Sequence, residues 1–279
     1  MATKTALVLE GGGMRGMFTA GVLDVLAEHG KTDFSHVYGV SAGAINGANF
    51  LAGQPGRFCR DVLAYRDDPN FMGPWSYATT GNVSSREFLY EKVNKSYDPY
   101  DYATFNRNET PFTVVATDLT FGTPVYLDVE SLPEHMDAIV ASSSLPCLSE
   151  TVEYQGNRLL DGGTSDSVPV ERALADGAER LVVVLTRHWG YQKRHGYSLM
   201  PMAKRLYADY PYYLQALDTR AERYNAQRET IGRLQTEGVA EVVAPTKPVE
   251  MSVLGSDGHG LLELYVDGRR MGASLLDRL

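Results

Sequence analysis

The pentapeptide Gly39-Val40-Ser41-Ala42-Gly43 has the residue types of a nucleophilic serine on a sharp turn. It ends a short apolar run at 36–40 that predicts a strand, and the small residues of 42–52 predict a helix packed closely on a sheet. Gly39 and Gly43 leave room for a serine on so sharp a turn, which presents the Ser41 Oγ above the sheet. The pattern predicts a nucleophile, and a turn of small residues without any chemistry is the alternative.

The glycine-rich sequence Gly11-Gly12-Gly13-Met14-Arg15-Gly16 follows a predicted strand at 5–9 and opens a predicted helix. As a G-x-G-x-x-G motif it fits a dinucleotide pyrophosphate, and Asp33 lies near the spacing of a ribose-binding acid. As a loop of backbone N–H groups it fits the oxyanion that develops on an ester carbonyl. The carboxyl ends of parallel strands lie at one edge of a sheet, so the loop and Ser41 emerge side by side. A dinucleotide site has no use for that serine, and the oxyanion hole is therefore favoured.

Asp161 is the candidate base for this serine, because it ends an apolar run and is followed by Gly162 and Gly163. An Asx-turn or a helix cap is the ordinary role of aspartate before glycine, and that alternative stays open. Three histidines follow Asp161 and would complete a Ser, Asp, His order, namely His188, His195 and His259. His259 fits best, but an α/β-hydrolase places several strands before its nucleophile, whereas one strand precedes the unit that carries Ser41.

The order of strand and helix signals predicts an α/β fold of three layers, in which helices cover both faces of a mostly parallel sheet. We expect about six strands and a single domain over 5–279, with a motif-bearing core at 5–174. Strand signals occur at 5–9, 36–40, 112–117, 124–128, 157–160, 181–185 and 239–243. Helix signals occur at 16–30, 42–52, 171–178 and 212–237, so that 175–279 completes the domain with strands and helices.

Two segments have distinctive compositions. Residues 60–110 are rich in aromatic side chains among Pro, Gly and Asn, which is typical of a cap or lid, or of an irregular insertion that packs into the core. Residues 187–208 hold five basic residues and no acid, interleaved with aromatic residues. This combination suits peripheral contact with an anionic membrane surface, and a solvated helix face beside a core-packing loop is the alternative.

The composition excludes several classes of protein. The chain has 279 residues, a net charge of −9 and two cysteines. So acidic a balance argues against nucleic acid as a partner, and two scattered cysteines form neither a zinc-finger spacing nor a disulfide framework. No apolar run suits a bilayer-spanning helix, and the N-terminal apolar run is too short for a secretory signal. We therefore expect a soluble cytoplasmic protein.

Four sequence blocks occur in a recognisable order. They are Leu7-Val8-Leu9-Glu10-Gly11-Gly12-Gly13-Met14-Arg15-Gly16, Gly39-Val40-Ser41-Ala42-Gly43, Ala141-Ser142-Ser143-Ser144-Leu145-Pro146, and Asp161-Gly162-Gly163 with Val168-Pro169-Val170. Together they resemble the patatin-like phospholipase family. The resemblance implies a Ser–Asp dyad with Ser41 as nucleophile and Asp161 as base.

The resemblance also implies an oxyanion hole of backbone N–H groups around Gly12, Gly13 and Met14, and Arg15 matches the basic position of the family in that loop. Ser144 stands where many relatives have alanine. The expected activity is hydrolysis of lipid carboxylic esters, phospholipid or lysophospholipid in particular, through an acyl-enzyme intermediate.

This chemistry needs neither a metal nor an organic cofactor, and no loop has the acid spacing of a calcium-binding EF-hand. Burial would raise the low pKa of an aspartate and make it a better base. Two alternatives stay open. One is a Ser-His-Asp carboxylesterase that depends on His259, and the other is a lipid- or nucleotide-binding module without catalysis.

Overall fold

The computed structural model describes residues 3–255 and 257–279, and eight of its strands form one sheet. The strands are β1 (Thr5–Leu9), β2 (His36–Val40), β3 (Phe112–Asp118), β4 (Pro124–Asp128), β5 (Val152–Tyr154), β6 (Asn157–Asp161), β7 (Arg180–Val184) and β8 (Ala240–Val243). Their order is β5-β6-β3-β2-β1-β7-β8, and β4 pairs with β3 outside this path. The pairs among β1, β2, β3, β7 and β8 are parallel, and the others are antiparallel. The predicted α/β class with a mostly parallel sheet is confirmed.

Helices cover both faces of the sheet. In the described residues they are α1 (Gly16–Glu28), α2 (Ala42–Leu51), α3 (Arg57–Tyr65), α4 (Pro74–Thr80), α5 (Tyr102–Arg107), α6 (Met136–Ser143), α7 (Val170–Ala175), α8 (Met200–Leu206), α9 (Pro211–Asp218), α10 (Arg220–Thr236) and α11 (Gly258–Leu276). A π-helical segment spans Glu87–Tyr97. None of these described helices combines the length and the apolar composition needed to cross a membrane.

β1 has a nearly continuous apolar sequence because both of its faces are covered by helices. It lies between β2 and β7, and four of its five residues are buried. Leu7 and Leu9 pack with residues of α1, α2 and α6 on one face, whereas Ala6 and Val8 pack with residues of α7 and α10 on the other. A strand that is covered on both faces has a continuous apolar sequence.

Several features differ from the sequence-based expectation, which does not include α3, α4, α5, α6 and α8. The sheet has eight strands rather than about six, and β5 is the unpredicted strand because three residues are too few to show a period. The helix predicted at 212–237 is divided into α9 and α10 at Thr219. The sequence does not predict α11, because its glycines lower the helix propensity.

The aromatic residues of 60–110 pack against one another. Tyr65, Phe71, Phe88 and Tyr97 have ring centroids between 5.4 and 6.4 Å apart. Phe71 and Phe88 belong to a buried cluster that also contains Met14 of the glycine loop. The segment is therefore largely helical and packed beside that loop, and its role as a mobile lid stays a prediction.

α11 packs directly on α1, the helix that follows the glycine loop. A Cβ at Gly268 of α11 would lie 2.1 Å from the carbonyl oxygen of Phe18 in α1. In the reverse direction, a Cβ at Gly21 of α1 would lie 2.2 Å from the carbonyl oxygen of Tyr265. The Tyr265 hydroxyl also donates a hydrogen bond of 2.8 Å to Asp24. The two helix backbones approach so closely that only glycine fits at these positions.

Replacement of Gly268 by alanine tests this contact. The new methyl group would clash with the α1 backbone, so we expect Gly268→Ala to lower the free energy of unfolding by about 1 to 3 kcal/mol. Urea denaturation followed by circular dichroism measures the change. The matched control is Gly232→Ala in α10, where a Cβ would meet no described atom closer than 3.4 Å. Helix propensity should raise stability there by about 0.5 to 1 kcal/mol, and equal effects of both substitutions would contradict the close packing.

Candidate active site

Two strands, β2 and β6, pair with the same edge of β3. Its residues 112–115 pair with β2, and its residues 116–118 pair with β6. Val115 lies opposite Val40 at the end of β2, and Ala116 lies opposite Asp161 at the end of β6. Because β2 is parallel to β3 and β6 is antiparallel to it, the carboxyl ends of β2 and β6 meet. Ser41, which follows β2, is thereby positioned beside Asp161.

Ser41 occupies a strained turn between β2 and α2. Its backbone has φ 55° and ψ −121°, a conformation that residues with a side chain rarely adopt. A Cβ at Gly43 would lie 2.4 Å from the carbonyl oxygen of Leu9, and a Cβ at Gly39 would lie 2.6 Å from the Cα of Ala44. Both glycines are therefore needed for the turn to pack against the sheet, and the turn has the shape of a nucleophile elbow.

Ser142 of α6 supports this turn. Its hydroxyl donates to the carbonyl oxygen of Val115 at 2.6 Å and accepts from the backbone N–H of Ser41 at 2.9 Å. The Ser142 side chain is fully buried. The block at 141–146 thus fixes the backbone of the serine turn, a role that the sequence does not reveal because a serine at the end of a helix has no distinctive local pattern.

Asp161 is buried, and its two carboxyl oxygens have different surroundings. Oδ1 accepts from the backbone N–H of Gly163 at 2.7 Å, which is the capping bond that the alternative interpretation of this residue expects. Oδ2 is buried and has no hydrogen-bond partner within residues 3–255 and 257–279. Burial raises the pKa of Asp161, while the neighbouring Ser41 hydroxyl and the Arg220 guanidinium lower it. Asp161 therefore combines one oxygen that is fixed by a hydrogen bond with one that has no partner in the described residues.

The backbone after Asp161 is held in place from two sides. A Cβ at Gly162 would lie 2.1 Å from the carbonyl oxygen of Val115. The carbonyl oxygen of Gly163 accepts from the Arg220 Nε at 2.6 Å and from the Ser167 hydroxyl at 2.9 Å. The first residue of α10 therefore fastens the turn that follows Asp161. Nothing in the sequence distinguishes Arg220 from a surface arginine.

The glycine loop presents backbone N–H groups next to Ser41. Gly12 and Gly13 line the same cavity as Ser41, and in the described part of the chain their N–H groups donate no hydrogen bond. The N–H of Met14, in contrast, donates to the carbonyl oxygen of Val253 at 3.0 Å. Two of the three predicted oxyanion donors are thus open to a ligand.

The ends of the loop pack tightly. A Cβ at Gly11 would lie 3.1 Å from the Cβ of Ser41, and a Cβ at Gly16 would lie 3.0 Å from the Cβ of Ala42. Arg15, between Met14 and Gly16, is buried. The glycines therefore allow the loop and the serine turn to lie side by side, as the strand order requires.

An apolar cavity of about 290 Å³ opens beside Ser41. Its side chains come mainly from α2, from 57–100 and from α6. Its apolar side chains include Met14, Ile45, Val62, Phe71, Leu89, Val93, Leu132 and Ile139, and charged side chains, among them Arg57, Asp61 and Arg86, also line it. The segment 60–110 forms one wall of this cavity, whose lining fits an acyl chain or another apolar group.

A second cavity, of about 310 Å³, meets the first at Ser41. Asp161 lines it together with four basic residues, and we call it the cationic cavity. The basic residues are Arg15, Arg187, Lys193 and Arg220. Its other carboxylate is Glu10, which accepts hydrogen bonds from the backbone N–H of Thr186 and from the Tyr224 hydroxyl. The sequence did not predict that Lys193 and Arg220 lie at the site, because basic residues usually face solvent.

The histidines lie elsewhere. In the part of the chain that the structure covers, no histidine lines either cavity. His259 is exposed on α11, with its Nδ1 3.7 Å from the Glu263 carboxylate. His195 is likewise exposed, with its Nδ1 3.4 Å from the Glu222 carboxylate. The geometry gives no support to a Ser-His-Asp triad.

The dinucleotide interpretation and a metal site also lack support. Asp33 precedes β2, so it lies at the opposite end of the parallel strands from the glycine loop that follows β1. A ribose-binding acid belongs at the same end as that loop. Outside the undescribed positions 1, 2 and 256, no group of three or more His, Cys, Asp or Glu side chains is arranged to hold a metal ion.

Comparison with known proteins reveals two family matches. The model of the patatin-like phospholipase family matches residues 7–174. A second model, described as a domain of unknown function (DUF6363), matches residues 210–279. The first range contains Ser41 and Asp161, and the second contains Arg220 and α11.

Individual relatives match about two thirds of the chain. The uncharacterized protein YjjU of Escherichia coli K12 is 33% identical over 66% of this chain and 52% of its own. An uncharacterized NTE family protein of Mycobacterium tuberculosis H37Rv is 30% identical over 65% of this chain and 48% of its own. The match therefore spans about half the length of these curated relatives.

Two further similarities are more remote. The lysophospholipase NTE1 of Meyerozyma guilliermondii is 26% identical over 64% of this chain and 12% of its own. Among solved structures, the crystal structure of VipD from Legionella pneumophila covers 99% of this chain and 67% of its own chain, with 15% identity and a TM-score of 0.48.

The raised pKa of Asp161 predicts a pH-dependent effect of Asp161→Asn on stability. A carboxyl whose folded-state pKa lies above its unfolded value of about 3.9 stabilises the fold below that value and loses this contribution as pH rises through the folded pKa. The Asp161→Asn variant does not lose stability in this way, because the asparagine side chain does not titrate. We expect the free energy of unfolding of Asp161→Asn, relative to wild type, to increase as the pH rises above about 4 in urea denaturation.

Asp101→Asn is the control with the opposite sign. The Asp101 carboxylate caps α5, where hydrogen bonds from the side chain and the backbone N–H of Thr104 lower its pKa. Its contribution to stability is therefore present above the unfolded pKa and is lost as the pH falls. A difference between Asp161→Asn and wild type that stays constant with pH would contradict the raised pKa of Asp161.

Proposed function

Because the chain belongs to the patatin-like phospholipase family, we propose that it is a serine acyl hydrolase that cleaves lipid carboxylic esters with Ser41 and Asp161. The observation that carries the proposal is the position of the Ser41 hydroxyl beside the buried carboxyl group of Asp161. The glycine loop and the apolar cavity next to this pair support it. Val253 and Arg220 also reach the site from the C-terminal region, which supports one catalytic domain over 5–279.

The first half of the proposed reaction forms an acyl-enzyme. The Ser41 Oγ bonds to the ester carbonyl carbon while its proton passes to the Asp161 carboxylate. The negative charge that develops on the carbonyl oxygen is stabilised by the backbone N–H groups of Gly12 and Gly13. The tetrahedral intermediate then collapses, the bond to the alcohol oxygen breaks, and the departing alkoxide takes the proton from Asp161.

The second half releases the acid. Asp161 accepts a proton from a water molecule, whose oxygen bonds to the acyl carbon. Collapse of this second intermediate breaks the bond to Ser41, and the serine oxygen recovers its proton from Asp161. A single carboxyl group therefore serves both halves, as the two steps are related by exchange of alcohol for water.

The surroundings of Asp161 make it a suitable base. An ordinary aspartate, with a pKa near 3.9, has little affinity for a serine proton. Burial raises the pKa of Asp161, and a base is most effective when its pKa approaches the working pH. The capping bond from Gly163 fixes Oδ1, so Oδ2 is the oxygen that we expect to accept the proton.

The apolar cavity supports a lipid as the substrate. Most of its lining surface is apolar, which suits an acyl chain whose ester carbonyl lies at Ser41. A remote relative bears the name lysophospholipase. We therefore propose phospholipid or lysophospholipid as the substrate class. A carboxylesterase that depends on His259, and a binding module without turnover, are the alternatives that the following experiment separates.

Labelling with a fluorophosphonate tests the proposed nucleophile and base, because this probe forms a stable adduct with an activated serine. Intact-mass spectrometry should show one adduct on the wild type and none on Ser41→Ala. We expect Asp161→Asn to be labelled roughly 100- to 10,000-fold more slowly, the usual contribution of a general base.

His259→Ala is the matched control for Asp161→Asn, since His259 is exposed and lines neither cavity. Its labelling rate should equal that of the wild type. Loss of labelling in His259→Ala would replace the dyad with a triad. A wild-type protein without any adduct would instead favour the binding module.

We further propose that part of 187–208 contacts an anionic membrane surface. Arg187 and Lys193 of this segment line the cationic cavity, and Tyr197 and Tyr207 pack with residues of α9. The exposed basic and large apolar side chains of the segment are Trp189, Arg194, Lys204, Arg205 and Leu206. This combination of exposed basic and apolar side chains supports a membrane contact. Fewer residues are available for it than the composition of the segment indicates, because others line the cavity or pack against α9.

Vesicle sedimentation tests the membrane contact. Each basic side chain near an anionic surface contributes about 1 kcal/mol, so the triple variant Arg194→Gln, Lys204→Gln, Arg205→Gln should bind phosphatidylglycerol vesicles roughly 100-fold more weakly than the wild type. Wild-type binding should fall steeply with salt. The control variant Lys31→Gln, Lys92→Gln, Lys95→Gln removes equal charge elsewhere and should bind normally. Wild-type binding that is insensitive to salt would exclude the contact.

A further inference from the structure

The cationic cavity contains a buried guanidinium without an acceptor. Arg15 is 8% exposed, and within the described residues its Nε and Nη1 are buried and have no hydrogen-bond partner. Burial and the neighbouring Arg187 lower the pKa of Arg15 to about 10. Buried donors without acceptors are costly, and the guanidinium adds a positive charge to the lining of the cavity, which an anion there would offset.

Lys193 brings a second cation into the same space. Asn225 of α10 holds its backbone with two hydrogen bonds, of 2.8 and 3.0 Å. Its Nζ lies 4.0 Å from the centre of the Tyr224 ring. Burial and the nearby Arg220 hold the pKa of Lys193 well below its usual range. Lys193 thus adds a basic group to the lining of the cavity, where an anion would stabilise its charged form.

The carboxylates of the cavity do not balance these cations. Glu10 uses one oxygen for the Thr186 N–H and the other for the Tyr224 hydroxyl. Asp161 belongs to the proposed dyad, and its Oδ1 accepts from the backbone N–H of Gly163. The four basic residues therefore face at most two negative charges.

We propose that the cationic cavity is a phosphate-binding subsite for the headgroup phosphate of the lipid whose acyl chain occupies the apolar cavity. The inference rests on the proposed function, and it follows from the position of Ser41 where the two cavities meet. Arginine and lysine are the side chains that bind phosphate best. An ester carbonyl at Ser41 would have its acyl chain on one side and a glycerol phosphate on the other. The subsite makes glycerophospholipids and lysophospholipids better substrates than neutral acylglycerols.

Lys193→Met tests the subsite, because methionine retains much of the side-chain length and removes the charge. The readout is the ratio of kcat/KM for 1-palmitoyl lysophosphatidic acid to kcat/KM for 1-palmitoylglycerol, which differ only in the phosphate. We expect the wild type to favour the phosphate-bearing lipid roughly 100-fold, and Lys193→Met to reduce this ratio about 10-fold. The control Lys31→Met, at an exposed position after α1, should keep the wild-type ratio. A Lys193→Met variant that slows both substrates equally would overturn the subsite.

A binding measurement distinguishes failure of the subsite from failure of the proposed function. Calorimetric titration of Ser41→Ala with glycerol 3-phosphate, inorganic phosphate and glycerol requires no turnover. We expect both phosphates to bind, glycerol not to bind, and an added Lys193→Met to weaken phosphate binding about 10-fold.

The order of the two affinities identifies the source of the phosphate. Tighter binding of glycerol 3-phosphate indicates a lipid headgroup, and tighter binding of inorganic phosphate indicates free phosphate. If neither lipid is hydrolysed but both phosphates bind, the proposed hydrolysis is wrong and a phosphate site remains. If neither phosphate binds, the subsite is wrong, even where both lipids are hydrolysed.

Discussion

The meeting of β2 and β6 on one edge of β3 is the constraint on which the site depends. Backbone hydrogen bonds fix both pairings, so the ends of the two strands have a set separation. The carbonyl oxygen of Val115 lies at the junction, where it accepts from Ser142 and leaves space only for a glycine at 162. A one-residue shift of β6 would turn the Asp161 side chain to the other face of the sheet. The serine and the carboxyl group are therefore positioned by the sheet itself.

Much of this arrangement follows from local sequence patterns. Most residues of the central strands are apolar because helices cover both faces, and β1 and β2 begin and end where the sequence predicts. Glycines flank Ser41 and follow Asp161 because backbones pass within contact distance there. The four short blocks that contain these residues all lie within the range that the family model matches.

The remaining features depend on contacts between residues far apart in the chain. The glycines of α11 are required for its contact with α1, yet they make its sequence look like a poor helix. Basic residues such as Lys193 and Arg220 usually lie on a protein surface. They reach the site only because α10 packs beside β6 and the glycine loop. The bond from Met14 to Val253 joins two loops that share no sequence pattern.

The same distant contacts determine when the site is completed during synthesis. Val253 and α11 follow both Ser41 and Asp161 in the sequence, yet they pack against the glycine loop and α1, which precede both. Ser41 and Asp161 leave the ribosome long before these partners do. Because contacts between distant residues form only after the intervening chain is available, the finished cavity forms only after residue 253 has been synthesised. A nascent chain thus carries the reactive groups without the pocket that would direct them to a substrate.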